Sequence, residues 1–188
     1  MAANKEASAS DNILWTVLAP YRVEVDDCLK RTNWDAIRER ASQANNGQPC
    51  NFLAHETCGA NNMARMLEFQ DGTRWVARVL MNRPTESLSA KMKSEIDTTV
   101  FLKTHTKAPV PQVFAYELDE TNPAGVAYML LEMLPGNDGM TLCAEYEKKH
   151  NKHIIGIPAE FRQEAYRTLA AAHVSQLAPS YVTYLSVP

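Results

Sequence analysis

No run of apolar residues in this 188-residue chain approaches the roughly 20 needed to span a bilayer. Nor is there an excess of either charge. Nineteen Lys and Arg against 22 Asp and Glu leave a net charge of −3 and a pI near 6.0, so nothing argues for nucleic acid or an anionic membrane as partner. The first residues, MAANKEASASDN, are small and polar rather than basic and then apolar, which is not the pattern of a secretory signal. A cytoplasmic location is expected. The four cysteines (Cys28, Cys50, Cys58, Cys143) form no CxxC and no framework spacing, so free thiols are expected rather than disulfides or a metal site. His150 and His153 lie in the basic stretch KKHNKH without ligands at matching spacing, and read as a solvated segment. No His-x-Asp occurs anywhere, and the last aspartate is Asp138. Internal repeats and extended low-complexity segments are absent too.

What remains is ordinary globular composition, with 45% hydrophobic and 22% charged residues, enough for one domain with a real core. Residues 1–12 read as disordered. A helix is expected near 33–45, opened by a capping box from Thr32 to Asp35 and closed by Asn46-Gly47, within an N-terminal extension over 1–47. From Asn51 the period changes. CNFLAHET reads as a strand, CGANN as a turn and MARMLEF as a second strand. Gln70-Asp71-Gly72-Thr73 is a hairpin signal leading into RWVARVLM. Pro84 closes that strand, and a helix follows over 85–106 with Leu88, Met92, Ile96 and Val100 at i, i+4 spacing. VFAYEL and the almost continuously apolar VAYMLLEML are the last strands. Pro135-Gly136 stops the chain sharply, and two helices follow, TLCAEYEKKH and one over 159–177. The last offers Phe161, Ala165, Leu169, Ala172 and Leu177 for burial. The order gives an α+β domain with a five-stranded, mostly antiparallel sheet.

One residue in this pattern calls for a reason. Strand alternation puts Arg78 on one face with Val76 and Leu80, although a guanidinium keeps its charge in any protein environment. It needs a counter-charge or a charged ligand. Glu95, flanking the apolar stripe of the following helix, is the candidate partner. The pair is either a surface ion pair or part of a binding site.

Read together, GANNMARMLEFQDGTRWVARV, SEIDTTVFLKTHTKAPVPQVFAYE and AYMLLEMLPG resemble the aminoglycoside-phosphotransferase-like family, whose fold is protein-kinase-like, and its large fungal branch in particular. The similarity covers about residues 50–178. It implies a kinase-like small lobe over 48–134, then the hinge and the first helices of an incomplete large lobe over 135–188. By that resemblance Gly59, Asn61 and Asn62 lie over the phosphates of ATP, and Val76 presses on the adenine. Arg78 stands for the phosphate-holding cation and Glu95 for its anchor. Leu131 sits behind the adenine, and Glu132 and Leu134 offer backbone groups to its edge. Two departures concern the phosphates. The loop has one glycine where G-x-G-x-x-G has three, and the cation is arginine rather than lysine.

Phosphoryl transfer also needs a catalytic aspartate and groups that hold Mg²⁺. The family places these in H-G-D-x-x-x-x-N and a later aspartate, beyond the helix matching 159–177, and this sequence contains neither. Catalytic and metal-binding residues are therefore expected only in a full-length relative, which would transfer the ATP γ-phosphate to a small-molecule hydroxyl. The alternative is a non-catalytic module that binds nucleotide or protein, with helix 159–177 as its interface. The apolar face of that helix is expected to be sticky unless a partner or the N-terminal extension covers it.

Overall fold

The computed structural model describes residues 21–136, 139–154 and 156–185; the disorder expected over 1–12 falls outside them. Ten elements follow in order: α1 (Arg22–Arg31), α2 (Trp34–Ala44), β1 (Cys50–Cys58), β2 (Asn62–Phe69), β3 (Arg74–Leu80), α3 (Glu86–His105), β4 (Val113–Glu117), β5 (Tyr128–Glu132), α4 (Gly139–His150) and α5 (Ala159–Leu185). They fall into two compact units. The described part of one comprises 21–104 and 110–133, and that of the other 105–109 and 134–185.

The first unit is built on one sheet in the order β1-β2-β3-β5-β4, antiparallel at every pairing. Its central hairpin turns where Asp71-Gly72 predicts. Gly72 takes the left-handed φ of +84°, its N–H donates to Phe69 O at 3.0 Å, and Asp71 Oδ1 accepts from the Thr73 N–H at 2.8 Å. That turn fixes the register, which sets Leu67 opposite Trp75 and Ala64 opposite Arg78.

Register sorts the side chains onto two faces. Met63, Leu67, Trp75, Ala77, Val79 and Leu130 are buried on one face against Val25, Cys28, Ile37 and Ala41 of α1 and α2. The other face buries Leu80 and Met129 against Met92 and Ile96 of α3. Val100, expected in the α3 stripe, is 43% exposed, because the stripe has drifted off the sheet by the last turns.

The sequence pattern does not announce α1, and the cap of α2 differs from the expected one. Thr32 is buried and closes α1, its Oγ1 donating to Cys28 O at 2.7 Å, so it forms no capping box with Asp35. Asn33 is the N-cap, accepting from the Ala36 N–H at 3.3 Å. Asn46 and Gly47, both with left-handed φ, end α2 as expected. Arg31 donates to Leu80 O at 2.9 Å and also to Met81 O, tying α1 to the end of β3.

Arg65 of β2 packs over two rings that touch each other, 4.7 Å from the Trp34 centroid and 4.6 Å from that of Phe52. Burial lowers its pKa, and Glu56, opposite it in β1, counteracts this.

In the second unit α4 begins at Gly139 and α5 continues to Leu185, past the expected end at 177. The four cysteines form no disulfide, and burial raises the pKa of the Cys28 and Cys50 thiols. His153 bonds Glu147 at 2.7 Å and His150 stacks on Tyr146. No helix among the described residues is long and apolar enough to cross a membrane.

Candidate functional site

Arg78 sits where β3 passes between Ala64 of β2 and Met129 of β5, on the face that α3 covers. Its guanidinium donates to Glu95 Oε1 from the middle of α3. Both side chains are part exposed, at 31% and 44%. An ion pair this wet contributes about 0.2–1 kcal/mol, so stability alone is a weak reason to keep an arginine there.

Two cavities adjoin this arginine. One of about 410 Å³ lies against the β1–β2 turn and is lined by residues 57–62, Ala64 and Arg78. The other, about 100 Å³, lies between β3 and α3, with Asn61, Asn62, Arg78, Lys91 and Glu95 around a floor of Leu80, Leu88, Met92 and Met129. The turn itself is held at both ends. The Gly59 N–H donates to Asn62 O at 3.0 Å, and Asn61 O accepts from the Met81 N–H at 2.9 Å. Gly59 has an ordinary φ, and a Cβ added there would meet nothing within 4 Å. Its lack of a side chain therefore leaves open space rather than relieving strain.

Of the residues singled out by sequence, the structure brings Gly59, Asn61, Asn62, Arg78 and Glu95 together around these two cavities. Val76 and Leu131 stand directly opposite one another in the β3–β5 register, half-buried on the same face as Arg78. The Glu132 carboxylate accepts from Lys103 Nζ of α3 at 2.7 Å and from the Gln112 N–H at 2.9 Å, while its own N–H donates to Gln112 O. Of its backbone groups, then, the amide is already engaged. Leu134 belongs to the second unit and is exposed. Lys91 was missed as a site residue, although its place one turn before Glu95 was a signal.

The hydrogen bond from Lys103, helped by the Gln112 N–H, holds the Glu132 carboxyl below the usual carboxylate range. A depressed folded-state pKa stabilises above the unfolded value of about 4.3, and that contribution is lost as pH falls through the folded value. Lys103→Met should flatten the acid limb of a stability-versus-pH curve, read by urea unfolding between about pH 2 and 6. An unchanged acid limb would show that the contact carries no linkage.

The second unit has an apolar cavity of about 450 Å³ lined by Leu142, Cys143, Tyr146, Ile157, Phe161 and Ala165, among others. Its lining includes no charged side chain, whereas the cavities at Arg78 are lined by charged and amide groups.

The first unit has a five-stranded antiparallel sheet, a helix crossing between its third and fourth strands, and a strand-three cation paired to a glutamate on that helix, an α+β arrangement consistent with the kinase-like fold expected from the sequence. No family model matches the chain. Two subtelomeric hrmA-associated cluster proteins, from two Aspergillus fumigatus strains, are each 34% identical over 89 residues. The match takes in 46% of this chain but only 17% of each relative's length. Among solved structures, a protein from Thermobifida fusca assigned as a fructosamine-3-kinase is similar over 52% of this chain and 31% of its own. The identity is 17% and the TM-score 0.39.

Proposed function

We propose that this chain supplies the nucleotide-binding small lobe of an aminoglycoside-phosphotransferase-like kinase. The observation that supports it is the Arg78–Glu95 pair, set beside the cavity formed by the 57–62 turn. Arg78 forks onto the phosphates of ATP while Glu95 fixes its direction. Asn61 and Asn62 offer polar groups from the turn, and Gly59 leaves room for phosphate to approach the backbone. Val76 and Leu131 form the apolar step against the adenine, with the Glu132 carbonyl at its edge.

The residues here fit the phosphates better than they fit Mg²⁺. Among the described residues no three His, Cys, Asp or Glu side chains are grouped to hold a metal, and Glu95 is already engaged by Arg78. Transfer of the γ-phosphate to a small-molecule hydroxyl is accordingly proposed for a longer relative that carries the catalytic loops.

Titration of the full chain with ATP tests the reading. Arg78→Ala should weaken binding about 10- to 100-fold, the loss expected for a charge-assisted hydrogen bond. Arg83→Ala, which removes an exposed partner of Glu120, should leave it unchanged. Equal losses in the two variants would overturn the role given to Arg78.

A second reading rests on α5, where Phe161, Tyr166, Leu169 and Val174 are all more than half exposed. Such a face suits a protein partner, and the chain would then be a non-catalytic binding module. Absence of Arg78-dependent nucleotide binding would favour it.

A further inference from the structure

We infer that the small cleft between β3 and α3 is a separate oxyanion subsite, with Lys91 as the residue that decides its charge. The occupant is a single phosphate-sized dianion, as opposed to a nucleoside. The inference extends the nucleotide reading, on which it depends only for where that phosphate comes from.

Size sets the first limit. At about 100 Å³ the cleft has room for one tetrahedral oxyanion. Its floor is apolar, with Leu80, Met92 and Met129 all buried, while its polar groups stand around the opening.

Charge sets the second. Arg78 and Glu95 cancel, because each is the other's partner. Lys91 lies one helical turn before Glu95 and lines the same cleft, yet no ion pair or hydrogen bond engages it among the described residues. Its neighbour Lys93 is by contrast bonded to Asp97. The cleft therefore carries one net positive charge. An entering dianion meets Lys91 directly and reaches the remaining N–H donors of Arg78, which has more of them than one carboxylate oxygen uses. The Asn61 and Asn62 side chains, which line both cavities, have amide donors for its outer oxygens. Arg78 is thus a shared wall. The larger cavity on the turn side takes one part of a polyphosphate, and the cleft takes its end or a free phosphate.

Calorimetric titration of the full chain with ADP, ATP and inorganic phosphate separates these cases, using Lys91→Met, Lys91→Arg and Lys93→Met. The expected result is a loss of about tenfold or more in Lys91→Met, little loss in Lys91→Arg and none in Lys93→Met. If the loss falls on ATP but not ADP, the occupant is the nucleotide's terminal phosphate. If it falls on inorganic phosphate, with or without saturating ADP, the occupant is a free anion. Lys91→Met and Lys93→Met behaving alike toward all three probes would overturn the subsite. Should that happen while Arg78→Ala still abolishes ATP binding, the nucleotide reading survives alone. If instead no nucleotide binds but phosphate binds through Lys91, the subsite stands and the nucleotide reading falls.

Discussion

A chain beginning at Gln48, without α1 and α2, should show no cooperative thermal transition by circular dichroism. The two helices bury Val25, Cys28, Ile37 and Ala41 completely in the core shared with the sheet. Burial of Val25 and Ile37 is worth about 1.5–3 kcal/mol each. Their removal also uncovers the face formed by Leu67, Trp75 and Leu130, and strips Arg65 of one of its two rings. Against a net stability of about 5–15 kcal/mol, these losses leave little to hold the fold. A sharp melt near that of the full chain would show the sheet to be self-sufficient.

Trp75→Ala should lower stability by about 3–5 kcal/mol, the range for emptying a buried aromatic site. Trp75 is 3% exposed, stacked on Phe114 with ring centroids 3.7 Å apart and edge-on to Phe69 at 4.7 Å. For a chain of this size the melting temperature should fall on the order of 10 °C. Arg74→Ala, next along the same strand, removes a part-exposed pair with Glu68 and should change stability by less than about 1 kcal/mol. Comparable shifts for the two would mean that the aromatic stack is not the organising contact of this core.

The β2–β3 hairpin was legible because Asp-Gly carries its own geometry, and once the turn is fixed the alternation of RWVARVL settles which side chains share a face. The pairing of Arg78 with Glu95 followed from the same logic, as a strand charge looked for an opposite charge on the neighbouring helix. Helix α1 was not legible. Val23 and Val25 alternate as in a strand, and only Val25 and Cys28 of RVEVDDCLKR are buried, so its helical stripe is one contact wide. Its place depends on long-range bonds, Arg31 to the end of β3 and the Asn33 N–H to Ala124 O, which no local pattern announces. The site was legible as a set of residue types and illegible as a volume. Nothing in the spacing of Asn61, Arg78 and Lys91 foretold that two cavities would share one guanidinium.

The irregular outer strands determine how the molecule meets its own copies. The β1–β2 register shifts between Phe52 and Glu56, and the β4–β5 register shifts between Val113 and Ala115. Each outer strand therefore presents a broken row of amides and carbonyls to its open side. A second chain adding at either edge would have to follow that strand's irregularity or leave donors unpaired. The sheet is terminated at both ends, and lateral growth into fibrils is resisted by backbone shape before any side-chain charge is considered.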